Sequence, residues 1–81
     1  MILEVGKLYC SKNYAMPLLV YTNKSLTSAP EELQCIYTDQ PFLVLAMHAG
    51  TKTLGTRYNV LFGDRKGWIK IDYCYKIEEI K

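Results

Sequence analysis

Residues that could carry chemistry are scarce in these 81 amino acids. There is one histidine, His48, and a metal site would have to join it to carboxylates or cysteines at no recognised ligand spacing, so it reads as a loop or strand-end histidine. Cys10, Cys35 and Cys74 are odd in number, far apart and never arranged as C-x-x-C. That argues against a disulfide framework and against a zinc frame, and for small buried hydrophobes in a reducing cytoplasm. No apolar run exceeds the seven residues 41–47, against about 20 for a membrane-spanning helix, and the first residues lack the basic and apolar regions of an export signal. Neither export nor membrane insertion is expected. Three scattered prolines, no repeat and no biased segment leave nothing to divide the chain, which predicts a single domain over residues 1–81.

Catalytic patterns are thin as well. The adjacent carboxylates Glu31-Glu32 and Glu78-Glu79 would point to opposite faces if extended, and so could not share a substrate. Residues 48–56 hold Gly50 and Gly55 without the G-x-x-x-x-G-K-[ST] order of a phosphate loop, and read as a surface loop. The net charge of +2 permits a polyanionic ligand without demanding one. No enzyme activity, cofactor or metal is expected.

What is present favours a sheet. Hydrophobic residues make up 49% and charged ones 22%, which excludes disorder, and seven tyrosines with many Val, Ile and Thr suit half-buried pleated surfaces. Extended runs are predicted over residues 7–11, 18–22, 35–38, 42–47, 58–62, 68–73 and 76–81. The run 42–47, almost wholly apolar, is expected at the centre of a sheet with both faces buried. Ser28 and Glu31 have the spacing of a capping box, so residues 28–33 fit either a short helical turn or a loop. Residues 58–62 and 68–73 flank the turn-rich stretch 63–67 as a hairpin. A four-residue loop at 64–67 would set Phe62 opposite Ile69, Val60 opposite Ile71 and Tyr58 opposite Tyr73 on one apolar face. Val60, Phe62, Ile69 and Ile71 should then face inward together, near Leu43 or Val44. The expected architecture is all-β, a small barrel of about five strands.

Gly67-Trp68-Ile69-Lys70-Ile71-Asp72-Tyr73 resembles the Gly-aromatic-Ile-Pro-x-Asn-Tyr signature that follows the distal hairpin of Src-homology-three domains. The start at residues 6–9, the strand 42–45 and the hairpin 60–69 are similar to short barrel proteins of tailed phages and marine viruses, related in topology to Sm-like barrels. The resemblance implies a Src-homology-three-like barrel, virus-encoded and acting in the host cytoplasm. It matches Tyr73 to the family's groove tyrosine and Tyr9 or Tyr14 to the N-terminal pair. Lys70 stands where the groove proline would be, and the strand 57–59 begins without the groove tryptophan, so proline-rich peptide binding is not implied.

These residues point to a non-enzymatic interaction module, with a protein partner or self-association ahead of nucleic acid. The alternative is low-specificity binding of RNA or single-stranded DNA by Arg57, Asn59, Arg65, Lys66, Trp68 and Lys70 on the late hairpin, where cations would meet phosphates and Trp68 would stack on a base. The plainer reading of those residues is a solvated hairpin whose Trp68 covers one end of the barrel.

The cysteine spacing carries its own test. Intact mass spectrometry without reductant should give the fully reduced mass and no zinc adduct, whereas an intramolecular disulfide or a stoichiometric metal would contradict the assignment.

Overall fold

Period-two patterning produces seven strands where about five were expected: β1 (Leu8–Ser11), β2 (Leu18–Val20), β3 (Gln34–Ile36), β4 (Phe42–His48), β5 (Arg57–Phe62), β6 (Arg65–Lys70) and β7 (Ile77–Glu79). This computed structural model describes residues 2–14, 16–50, 55–71 and 76–81, and the strand count refers to these. The chain is all-β. Five strands form an antiparallel sheet in the order β6-β5-β4-β1-β7, and β2 pairs with β3 in a separate antiparallel ribbon. The capping-box segment forms a single 3-10 turn at Pro30–Glu32, but the Ser28 hydroxyl serves another purpose, accepting the Thr22 N–H at 2.8 Å.

β4 takes the central place expected of it, yet only one of its faces is closed. Phe42 and Val44 are buried, Leu43 and Leu45 half-buried, and Ala46 and Met47 exposed. The reason is the number of layers. Burial on both faces requires cover on both sides, and here the ribbon covers one, placing Leu18, Val20 and Ile36 in the same apolar cluster as Phe42, Val44 and Val60.

The hairpin corrects the expected register. Its loop is the two residues Gly63 and Asp64, so Phe62 lies opposite Arg65, Val60 opposite Gly67 and Tyr58 opposite Ile69. Gly63 has φ 62°, the positive value that a two-residue turn with glycine at its first central position requires, and such turns match the twist of the flanking strands. Each partner has moved by four residues, an even shift, so the faces are unchanged. Val60, Phe62 and Ile69 are buried in one cluster with Val44, and Ile71 packs against it partly buried. Tyr73, assigned to the same face, lies outside the described residues, as do Cys74 and residues 51–54 of the glycine-bearing loop.

Two further contacts define the core. Tyr58 and Tyr9 are buried but keep their hydroxyls satisfied, accepting the Leu3 N–H at 3.1 Å and the Glu4 N–H at 2.8 Å. The ribbon reaches the main sheet at β6, where Tyr21 and Trp68 exchange backbone hydrogen bonds of 2.9 and 2.8 Å. Beside this bridge Gly67 is buried under Val20. A β-carbon at Gly67 would stand 2.1 Å from Val20 Cγ1 and 3.0 Å from the Tyr21 carbonyl oxygen. At the opposite end of the ribbon, Asp39 has φ 68° in the turn before β4, and its carboxylate holds Lys12 at 2.5 Å. That hydrogen bond, with the attraction of the carboxylate's charge, raises the Lys12 pKa above the ordinary lysine value.

Gly67→Ala should therefore destabilise the domain by about 1–3 kcal/mol, the usual range for overpacking a tight core. Urea unfolding measures it. The loss should shrink when the substitution is made on a Val20→Ala background, which removes the colliding methyls, and equal losses on both backgrounds would show that Val20 does not sit over Gly67.

Candidate functional site

The six residues of the predicted hairpin patch do not form one surface. The register places Arg57, Asn59, Lys66, Trp68 and Lys70 on the outer face of the β5–β6 pair, and puts Arg65 on the opposite face with Phe62. Arg65 is exposed at the tip, 3.4 Å from Gln34 Oε1 on the ribbon and 3.9 Å from Asp64.

Arg57 is withdrawn from solvent altogether, with only 3% of its surface exposed. Its Nη1 donates to the Lys24 carbonyl and its Nε to the Gly55 carbonyl at 3.3 Å. A guanidinium carries five donors in a rigid fork, which lets one side chain tie two backbone segments to a strand. The Lys24 segment is itself folded around Asn23, whose Oδ1 accepts the Ser25 N–H at 3.0 Å and the Thr27 hydroxyl at 3.1 Å. Arg57 thus joins the loop after β2 to β5. Of the expected patch there remain Lys66, exposed, and Lys70, Trp68 and Asn59, all half-buried.

A different feature spans the outer face. Leu8 lies opposite Leu43, and Leu43 opposite Leu61, which faces Lys66 across the hairpin. On the other side the Ile80 N–H donates to the Leu8 carbonyl at 2.9 Å, extending the row on to the chain beyond β7. Ile80, Leu8, Leu43 and Leu61 therefore make a continuous apolar row across β1, β4 and β5 and the segment that follows β7. Leu8 is 43% and Ile80 39% exposed, while Leu43 and Leu61 are half-buried. Beyond it, a bulge between Val44 and Ala46 sets Ala46 opposite Asn59, next to Trp68. Sequence reasoning missed this row because it took residues 42–47 as buried on both faces. The usable signal was the leucine at the outward position of β1, β4 and β5, visible only once three registers are aligned.

Other candidate residues stand apart. His48 ends β4 opposite Arg57, and Cys10 and Cys35 are unbridged, the first buried and the second half-buried. Among the described residues no group of three His, Cys, Asp or Glu side chains could hold a metal ion. Of the tyrosines that the resemblance offered for the N-terminal groove pair, Tyr9 belongs to the core with its ring 6.2 Å from Phe42, and Tyr14 is exposed; Tyr73 lies outside the described residues.

No protein family, curated protein or solved structure matches the chain.

The assignment of Arg57 is directly testable. Arg57→Ala removes charge-assisted hydrogen bonds and leaves two carbonyls short of donors, and should cost about 1.5–3 kcal/mol in urea unfolding. A loss below about 0.5 kcal/mol would return Arg57 to the solvated surface.

Proposed function

We propose that this chain is a non-enzymatic interaction module that binds a protein partner through the outer face of its five-stranded sheet. The observation that carries this reading is the row Ile80, Leu8, Leu43 and Leu61, with Trp68 beside it. Contiguous exposed apolar surface is uncommon on a domain that works alone, and it marks places where something binds. A flat apolar centre with a charged margin is the usual anatomy of a protein contact, and aromatic residues near its centre supply much of the binding energy. The face is carried on hydrogen-bonded strands of one sheet, which limits the ordering cost on association.

The fold belongs, on this reading, with Src-homology-three-like barrels, a likeness supported by the Gly67-Trp68-Ile69 segment in the strand that follows the tight turn of the late hairpin. The same likeness suggests a virus-encoded protein acting in the host cytoplasm. Its contact face differs from a peptide groove, because Tyr9 is committed to the core.

Nucleic acid is the second reading, favoured by Lys66 and Lys70 standing two residues either side of Trp68 on one strand face. Two lysines without Arg57 are a weak electrostatic footprint, given that each neutralised phosphate of a single strand contributes about 0.7 to the salt slope.

A titration with single-stranded oligonucleotides, against heparin and at two salt concentrations, separates the readings. The protein-partner reading predicts equally weak binding to both polyanions and little effect of Trp68→Ala. Preferential oligonucleotide binding that Trp68→Ala weakens by about 1–3 kcal/mol would establish nucleic acid instead.

A further inference from the structure

The charges nearest the two ends of the apolar row are of opposite sign. On the β6 side the outer face carries Lys66 and, farther along, Lys70; on the β7 side it carries Glu78, which lies opposite Cys10, and, two residues farther from the row, Lys76. None of the four takes part in an ion pair among the described residues, in contrast to Lys7, which reaches Glu4 at 3.1 Å and Glu79 at 3.9 Å. β4, bearing Leu43, is the middle strand between these flanks.

That layout is self-complementary under one symmetry operation. A two-fold axis parallel to the strands and passing over β4 turns the sheet face onto a copy of itself and exchanges the β6 and β7 sides. Leu43 then meets Leu43, Leu61 meets Leu8 of the second copy, and Lys66 passes over Ile80 with its ammonium near Glu78. Each contact off the axis occurs twice, as a closed dimer requires, and two sheets so stacked resemble an aligned β-sandwich. We propose that the partner of this face is a second copy of the chain, packed sheet to sheet about an axis along β4. The proposal rests on the protein-partner reading and names the occupant.

Sedimentation equilibrium over a concentration series tests the proposal. The wild-type chain should show a monomer–dimer equilibrium. Leu43→Lys, which places a charge on the axis twice, should weaken it by about 100-fold or more. Lys66→Glu and Glu78→Lys should each weaken it by roughly 3- to 10-fold, and the double reversal should restore association to within about 3-fold of wild type. Far-ultraviolet circular dichroism checks that Leu43→Lys is folded, and the charge pair decides the matter if it is not. A wild type that stays monomeric throughout, or a double reversal that adds the two losses, overturns the self-pairing. Neither result touches the protein-partner reading, which falls only to preferential oligonucleotide binding.

Discussion

The architecture depends on the missing side chain at Gly67. The two-stranded ribbon must cross the main sheet closely enough for Tyr21 and Trp68 to exchange backbone hydrogen bonds, and any β-carbon at Gly67 would occupy the space of Val20 Cγ1. With glycine there, Val20 drops onto the inner face beside Val60 and brings Leu18 and Ile36 with it. One vacancy in β6 thus decides which face of the five-stranded sheet becomes the core. Hydrophobic burial does the rest, at roughly 25 cal/mol for each Å² of apolar surface removed from water.

Closing one face leaves the other open, and this asymmetry determines what the domain can do. The same chain segment that covers the inner face continues into the loop that Arg57 ties down through the Lys24 carbonyl. Arg57 therefore serves the fold at the expense of the hairpin patch, whose outer face is reduced to two lysines around a half-buried tryptophan. What remains prominent on the outer face is leucine, arranged in register across the sheet with opposite charges at its margins. The functional proposals follow from that balance, since a polyanion needs cations and a protein partner needs apolar area.

Much of this fold was legible from residues alone, for a definite reason. Strand periodicity is local, so all seven extended runs and the late hairpin appear in the sequence. Face assignment survived a register error of four residues because the period of a strand is two, and Val60, Phe62 and Ile69 faced inward under either pairing. The turn itself was misjudged because residues 63–67 contain two glycines, and only Gly63 turns the chain while Gly67 admits Val20. The contact between Val20 and Gly67 left no trace in sequence, being made between segments far apart along the chain. Arg57 was hidden in another way, since its partners are backbone carbonyls, which every residue type possesses.

Amide hydrogen exchange at Tyr21 and Trp68 tests the joining of ribbon and sheet most directly, because those two N–H groups make the bridge and, among the described residues, no other strand pairing joins the two. If Gly67 allows the closure described, both amides should be protected as strongly as those of Val60 and Val44, opening only with the whole domain. Exchange at Tyr21 and Trp68 as fast as in the loop around Ser25, with β4 and β5 still protected, would mean that the ribbon does not close the inner face, and would remove the basis for assigning the outer face as the contact surface.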